Sequence, residues 1–343
     1  MRSTKILSLM LVLTMFGLLI LSQAYGDGKW TILRNDDFVR NDGVWGHLQD
    51  VEFNDRMNGW AVGSDGLIVQ TTDGGKTWTQ IIVKQIAEME RQVYFWNVYF
   101  RDKNVGFITG TRGTILKTTD GGQTWELKEA INESRLDREG NPAVLRRRLI
   151  DAWMVDGQTG FMVGENDTFI KTIDGGESWI GTGKRVAVGN TRNNFERIHF
   201  ASPAIGWIVG SFGTILRTTD GGETWENQDA GVDNNLKGVD FVDENTGWIA
   251  GQEGVILHTQ DGGVTWTKQE TQSYDSLYDV VFVDSQTGWA VGDFGTILHT
   301  TDGGQTWTRE NAGNLPTLYA IDAIDTGQRW GVGEGGIIIG VGQ

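Results

Sequence analysis

The stretch TTDGGKTW at residues 71–78 decides the fold, because five near copies of it follow along the chain. Their aspartates stand 47, 54, 46, 41 and 41 residues apart. The six aspartates are Asp73, Asp120, Asp174, Asp220, Asp261 and Asp302. One four-stranded blade of a β-propeller takes about 40–45 residues. The repeat therefore predicts one blade per copy, with insertions in the early units.

The residues upstream of each copy predict the rest of the blade. Before Asp302, the segments LYDVVFVD at 277–284 and WAVG at 289–292 are rich in β-branched and aromatic residues, as strands are. A glycine-bounded turn follows, and TILHT at 296–300 leads into the next copy of the motif. The motif, called the Asp box below, is therefore predicted on the turn between the third and fourth strands.

Counting first strands gives seven units, although the chain has six Asp boxes. The last unit begins at Leu318 and ends in GIIIGVGQ without a fourth strand. Residues 29–34 (KWTILR) resemble the strand that follows a box, and we expect them to pair beside residues 337–340. The prediction is an all-β protein: residues 27–343 form a single seven-bladed β-propeller of four-stranded antiparallel blades, closed by an N-terminal strand.

The Asp boxes are predicted to be structural. The carboxylate can accept hydrogen bonds from N–H groups of its own turn, and the two glycines permit that turn. The tryptophan that ends each box is expected to pack between blades. These tryptophans are Trp78, Trp125, Trp179, Trp225, Trp266 and Trp307. Calcium is the alternative occupant, but one box offers one carboxylate where calcium takes six to eight oxygens.

The N-terminus has the pattern of an export signal. Arg2 and Lys5 precede the apolar stretch Ile6 to Leu21, and small residues follow at 24–26. We therefore predict a signal peptide at 1–26 and an exported protein, in the periplasm, the thylakoid lumen or the extracellular space. An uncleaved N-terminal anchor is the alternative. The chain has no cysteine, so it has neither disulfides nor thiolate metal sites.

Composition and motifs argue against several function classes. The net charge of −16 disfavours nucleic acid as a partner. No glycine-rich loop precedes a helix, so no phosphate-binding cofactor is predicted, and the four histidines are too dispersed for a metal site. His258 and His299 occupy the same position in successive units, which indicates a repeated blade feature. Neither a metal nor a small-molecule cofactor is expected.

The pattern TGW-x-VG followed by G-x-I-x-x-T-x-DGG-x-TW resembles the photosystem II assembly and stability factor family of chloroplasts and cyanobacteria. The boxes alone are also similar to bacterial neuraminidase repeats. The resemblance covers nearly all of the chain after residue 26. It implies a non-catalytic seven-bladed propeller in the thylakoid lumen or periplasm that binds a newly made reaction-centre subunit. We accordingly expect a monomeric scaffold with a protein partner, such as a subunit of a membrane complex.

An exported glycosidase or carbohydrate-binding propeller of the sialidase-like type is the alternative. A sialidase-like enzyme needs a Phe-Arg-Ile-Pro segment, an arginine cluster and a tyrosine nucleophile. None of the three prolines follows Arg-Ile. The tyrosines in or beside first-strand runs are expected in the core or channel: Tyr94, Tyr99, Tyr274, Tyr278 and Tyr319. The prediction is therefore that the protein is not an enzyme.

Departures from the repeat point to the binding surface, because insertions in repeat proteins tend to fall on one face. They lie at 81–94, 126–149 and 180–195, each between the last strand of one blade and the first of the next. Residues 227–343 hold 17 acidic and four basic residues, so the basic residues concentrate in the early blades. The predicted partner-binding residues are Arg146, Arg147, Arg148, Arg185, Arg192 and Arg197. A solvated loop with local acidic partners is the alternative for these arginines.

Overall fold

The computed structural model describes residues 30–33, 46–89, 92–181 and 193–342. Within these ranges the chain is almost entirely β-structure, with one short α-helix, α1 (Lys84–Ala87). The predicted signal peptide at 1–26 lies outside the described residues. No helix in the described ranges has the length and apolar character needed to span a membrane.

The described strands form seven sheets. The first contains β2 (Leu48–Phe53), β3 (Gly59–Gly63), β4 (Ile68–Thr71) and β5 (Thr79–Gln80), after β1 (Thr31–Ile32) earlier in the chain. The second contains β6 (Phe95–Phe100), β7 (Gly106–Gly110), β8 (Ile115–Thr118) and β9 (Glu126–Lys128). The third contains β10 (Ala130–Leu136), β11 (Pro142–Val144), β12 (Leu149–Met154), β13 (Gly160–Gly164), β14 (Thr168–Thr172) and β15 (Trp179–Gly181). The fourth contains β16 (Phe195–Phe200), β17 (Gly206–Gly210), β18 (Ile215–Thr218) and β19 (Glu226–Gln228).

The remaining strands make three further four-stranded sheets. The fifth contains β20 (Leu236–Phe241), β21 (Gly247–Gly251), β22 (Ile256–Thr259) and β23 (Thr267–Gln269). The sixth contains β24 (Leu277–Phe282), β25 (Gly288–Gly292), β26 (Ile297–Thr300) and β27 (Thr308–Arg309). The seventh contains β28 (Leu318–Asp325), β29 (Gln328–Gly333) and β30 (Ile338–Val341), with β1 as its fourth strand.

An all-β propeller with four-stranded antiparallel blades is confirmed, with one correction. In the described chain six sheets have four strands, whereas the third has six in the order β11-β10-β15-β14-β13-β12. The insertion after β9 forms the hairpin β10–β11, and β10 pairs in parallel with β15. The sequence pattern did not reveal this hairpin, because a short irregular pair of strands has no repeat to mark it.

Neighbouring sheets are tied together by tryptophan. Trp248 of the fifth sheet stacks on Phe282 of the sixth, with 3.5 Å between ring centroids. Its indole N–H also donates to the carbonyl of Gly303 in the sixth sheet's Asp box, at 3.1 Å. Gly288 leaves room for this stacking, because a Cβ there would lie 2.5 Å from the Phe282 ring. Trp207 and Trp330 make the same two contacts with their next sheets.

The seventh sheet has no Asp box, and other residues occupy the place of one. Thr31 pairs with Gly340 and Ile32 with Ile339, which places β1 beside β30. Trp30 is buried there and donates its indole N–H to Glu310 at 2.5 Å. Trp289 and His299 also contact Glu310, at 3.3 and 3.2 Å. The Arg329 guanidinium lies over the Trp30 and Trp289 rings at 5.0 and 4.6 Å from the centroids. We call this set, with its five side chains, the closure cluster.

The two faces of the ring carry different turns. On the lower face, Asp boxes contact the turn between first and second strands, as in the hydrogen bond from the Gly74 N–H to the Met57 carbonyl. On the upper face, the turn between second and third strands contacts the connection from one sheet to the next, as in the bond from the Thr111 N–H to the Tyr94 carbonyl. Insertions in the connections therefore belong to the upper face.

One edge strand of each sheet lines the centre of the ring. The contacts of these strands run β2, β6, β12, β16, β20, β24, β28 and back to β2. Hydrophobic clusters lie between successive sheets, so no sheet has a core of its own. This arrangement leaves a central channel and an upper face as the two places where a ligand or partner could be recognised.

Candidate protein-binding site

Each Asp box is held by its own hydrogen bonds. Asp220 accepts from the Thr224 N–H at 2.9 Å and from the Thr224 hydroxyl at 2.5 Å, and the Thr218 hydroxyl donates to it at 2.8 Å. Gly221 and Gly222 have φ of 71° and 87°, a region that costs other residues strain. The same bonds recur at Asp73, Asp120, Asp174, Asp261 and Asp302.

The carboxylates of the boxes are therefore occupied by their turns. The Thr224 hydroxyl and N–H hold the pKa of Asp220 down at about 2, because both donate to the charged form. A groove of about 610 Å³ lies between the fifth and sixth boxes, and its carboxylates Asp261 and Asp302 are bound in this way. The structural role of the boxes stays a prediction, which the Asp220 substitution below tests.

The arginines at 146–148 lie on the upper face between two turns. A Cβ at Gly113, in the turn of the second sheet, would lie 2.3 Å from the Leu145 carbonyl oxygen, so the two segments are in contact. At the other end, the Arg148 N–H donates to Glu165 in the turn of the third sheet at 3.1 Å. Arg146 is exposed and Arg147 is half-buried.

The Arg148 side chain faces an aromatic residue of the channel rim. Its guanidinium lies 4.8 Å from the centroid of the Trp96 ring, which belongs to β6. The Glu165 carboxylate lies 3.9 Å from it. Arg148 is thus held by a cation–π contact and by a local acid. Arg148 therefore has a local acidic partner, as the alternative interpretation of these arginines requires. Among the described residues, neither Arg146 nor Arg147 forms an ion pair.

Arg112 joins these residues, although the sequence analysis did not single it out. It occupies the exposed tip of the turn GTRG, with φ of 60°, beside the Gly113–Leu145 contact. The corresponding tips of the first and fifth sheets are Asp65 and Glu253, so the charge here is opposite to theirs. Comparing the seven turn tips would have found it. We call Arg112, Arg146, Arg147 and Arg148 the basic segment.

The other predicted arginines do not extend this segment. Arg185 and Arg192 lie outside the described residues. Arg197 was placed on the binding surface by its proximity in sequence, and that was wrong: it lies on β16 inside the channel, 3.6 Å from Asp50. Tyr274 was expected in the core or channel and is instead exposed on the upper face.

The channel contains buried carboxyls that the sequence analysis missed. Asp322 accepts from the Phe53 N–H at 2.7 Å, and Asp240 accepts from the Phe282 N–H at 2.7 Å. In each case the acid belongs to one inner strand and the N–H to the next. Acids making this contact in the described chain are Asp50, Glu52, Asp151, Asp240, Asp279 and Asp322. Their position in the first strand was the available signal.

Burial dominates the electrostatics of the channel. It raises the pKa of Asp50 to about 7 although the Arg197 charge opposes it, and it raises the pKa of Asp322 to about 7. Burial also lowers the pKa of His199 to about 4. The space beside these groups measures about 420 Å³. The described residues form no cluster of acids and histidines able to hold a metal ion.

The family model of the photosynthesis system II assembly factor YCF48 matches residues 42–126, 83–141, 143–226, 182–273 and 266–341. This chain belongs to that family. No curated protein sequence matches it. The resemblance seen in its repeats is thus confirmed at the level of the family.

Solved structures of the YCF48 family share the fold. "YCF48 bound to D1 peptide" is 21% identical, with a TM-score of 0.71 over 93% of this chain and 99% of that one. "YCF48 from Cyanidioschyzon merolae" is 19% identical, with a TM-score of 0.72 over 91% and 98%. A GH74 xyloglucanase from Xanthomonas campestris is 13% identical, with a TM-score of 0.66 over 90% of this chain and 53% of that one.

Proposed function

We propose that this protein is a non-catalytic scaffold that binds an extended, carboxylate-bearing segment of a membrane-complex subunit on its upper face. The observation that carries the proposal is the basic segment, in which Arg112 and Arg146 are exposed on an otherwise acidic member of an assembly-factor family. A relative of this chain has been solved as YCF48 bound to D1 peptide, which supports a peptide as the kind of ligand.

The basic segment has the chemistry for carboxylates. Guanidinium groups bind them through paired, planar hydrogen bonds, which makes arginine better suited than lysine. Arg112 and Arg146 are exposed, and the Arg148 guanidinium lies over the Trp96 ring beside them. A peptide could lie from the outer hairpin β10–β11 toward the channel along this line.

A glycosidase is the weaker alternative. It requires two carboxyl groups free to act on a sugar. The channel carboxyls of the described chain each accept a backbone N–H from the next strand, as Asp151 does from Ile198 at 2.7 Å. This repeated contact supports a role in holding neighbouring sheets together. The xyloglucanase likeness concerns the fold alone, at 13% identity.

We further propose that β1 closes a seven-bladed ring, and that the chain is an exported monomer whose signal at 1–26 is removed. The pairing of β1 with β30 and the closure cluster support closure of the ring by β1. The apolar stretch at 6–21 supports export. Mass spectrometry of the protein from its own cells tests cleavage, and light scattering tests the monomer.

Binding is tested by charge reversal of three basic-segment residues together: Arg112→Glu, Arg146→Glu and Arg147→Glu. Glutamate is tolerated at the turn tip, since Glu253 occupies that position in the fifth sheet. The probe is a fluorescent D1 peptide, compared with a version whose carboxylates are amides. We expect the variant to weaken association at least about tenfold, and added salt to weaken the wild-type complex, because exposed charges are screened within about 10 Å at 0.1 M salt.

The matched control makes the same charge change elsewhere, with Lys76→Glu, Lys103→Glu and Lys268→Glu. These lysines are exposed; Lys76 and Lys103 lie in lower-face turns and Lys268 on an outer strand. Equal loss from both triple variants would mean that only net charge matters. Binding of the amide peptide as tightly as the acid would remove the basic segment as the site.

A further inference from the structure

Three aromatic side chains stand exposed on the acidic side of the upper face. Phe212 and Phe294 occupy the turn tips of the fourth and sixth sheets and are 69% and 76% exposed. Tyr274 lies in the connection between the fifth and sixth sheets and is 92% exposed. Each of the three therefore presents a large apolar surface to solvent on this face.

The fold gives no reason for phenylalanine at these tips. Phe212 and Phe294 have φ of 57° and 54°, in the left-handed region, where a bulky residue is strained. Equivalent positions hold Asp65 and Glu253, and Gly335 in the seventh sheet, so the turn forms without an aromatic residue. Neither ring buries much surface in the described structure. Both features oppose stability, and both leave a ring available to a partner.

Carboxylates lie beside these aromatic residues. The Gly213 N–H beside Phe212 donates to the Asn234 carbonyl, which places Asp233 next to that tip. A Cβ at Gly254 would lie 1.9 Å from the Ser273 carbonyl oxygen, so Tyr274 adjoins the tip formed by Glu253. Continuing through the fourth to seventh sheets, the sequence of exposed groups is Phe212, Asp233, Glu253, Tyr274, Phe294 and Glu334. We call this set the aromatic–acidic arc.

The acids of the arc have no basic partner among the described residues. No ion pair there involves Asp233, Glu253 or Glu334, and all three are exposed. By contrast, the basic segment lies on the second and third sheets. The upper face thus has two regions of opposite charge, formed by different sheets.

We propose that the aromatic–acidic arc binds a second segment of a protein partner, one that alternates lysine or arginine with apolar side chains. Cations bind both to carboxylates and over aromatic rings, and the apolar side chains of the segment would cover the two phenylalanines. The net charge of the arc repels the acidic segment that the basic segment attracts. The upper face therefore holds two segments of opposite charge in a defined orientation.

The probe for this surface is a fluorescent 15-residue peptide of alternating lysine and leucine, compared with an all-lysine peptide of the same length. The test variant is Phe212→Asn with Phe294→Asn. Asparagine suits the left-handed conformation, and Asn166 adopts φ of 55° in the third sheet's turn, so the variant keeps the fold. We expect association of the lysine–leucine peptide to weaken at least about tenfold, as for truncation of aromatic interface residues.

The control is Ile173→Asn with Val264→Asn. These residues are 70% and 71% exposed, but they lie in Asp boxes on the lower face. We expect this pair to leave association unchanged, and the all-lysine peptide to bind more weakly than the alternating one. Equal loss in both double variants, no loss in the arc variant, or equal binding of the two peptides would overturn the proposal. Reversal of Arg112, Arg146 and Arg147 should strengthen or preserve this association, which separates it from the function proposed above.

Discussion

The closure cluster makes the sharpest test of how the ring is held together. We consider Trp30→Ala, which removes a buried ring that contacts Glu310 and Arg329. Loss of a buried tryptophan side chain costs about 3–5 kcal/mol, from lost burial and from the cavity. Glu310 keeps its contacts with Trp289 and His299, so it is not left without partners. We therefore expect the free energy of unfolding to fall by about 3–5 kcal/mol.

Trp30→Phe separates the ring from its N–H. Phenylalanine can remain over the Arg329 guanidinium but cannot donate to Glu310. A hydrogen bond to a charged group contributes about 1.5–3 kcal/mol, and Glu310 retains two other contacts, so a loss of about 1–2 kcal/mol is expected. The matched control is Thr31→Ala, in the same strand, which should change stability by less than about 0.5 kcal/mol.

Urea unfolding followed by far-ultraviolet circular dichroism measures these differences, because the signal does not depend on the removed tryptophan. The slope of free energy against urea should stay unchanged if only the folded state is affected. A loss below about 1 kcal/mol for Trp30→Ala would refute the reasoning. It would mean that the ring stays closed through the contacts of β28–β30 without the N-terminal strand.

Three further predictions concern the boxes and the channel. Asp220→Ala should lower the free energy of unfolding by about 1–3 kcal/mol, because the Thr224 N–H loses its acceptor. Urea unfolding measures the loss, with the surface variant Asp229→Ala for comparison. A buried carboxyl whose pKa is raised binds its proton more tightly in the folded state than in the unfolded state. Its contribution to stability is therefore present below the unfolded pKa near 4 and is lost as the pH rises to about 7. Asp322→Asn should reduce the loss of unfolding free energy between pH 4 and pH 8. Arg197→Met should lower the free energy of unfolding by about 3–5 kcal/mol at pH 8, where Asp50 would be left charged and buried, and by less at pH 5. An equal loss at the two pH values would refute the coupling between Arg197 and Asp50.

Much of the fold follows from the sequence, because its units repeat. The box Asp220 and its two glycines return at a period that matches one blade, and the hydrophobic pattern of LYDVVFVD recurs at equivalent positions. The hairpin β10–β11 could not be found in this way, since it occurs in one unit only. The place of Trp30 was predicted from its likeness to the box tryptophans, whereas the role of Glu310 and Arg329 was not. Glu310 follows β27 and Arg329 lies on β29, so the two meet only in three dimensions.

The binding surface was predictable in part. Arg146 and Arg147 were found because they interrupt both the repeat length and the acidic composition. Arg197 was misplaced because it was assigned by its distance in sequence from the other arginines. Alternation along a strand determines which way a side chain points, and that of Arg197 points to the channel, where Asp50 also lies. Arg112 and Phe294 could have been found by aligning the turn tips of all units, since their side-chain types depart from Asp65 and Glu253 at the same place.

The direction of β1 determines which face of the ring lies nearest to a support bound through the N-terminal end. Residue Thr31 pairs with Gly340 at the end of β30 that is remote from the upper-face turn at 334–336, so the chain enters the ring from the lower face. Any linker, tag or anchor placed ahead of Trp30 is therefore attached opposite the basic segment and the aromatic–acidic arc. Immobilised through this end, the molecule presents its whole upper face outward, with both charged regions accessible at once.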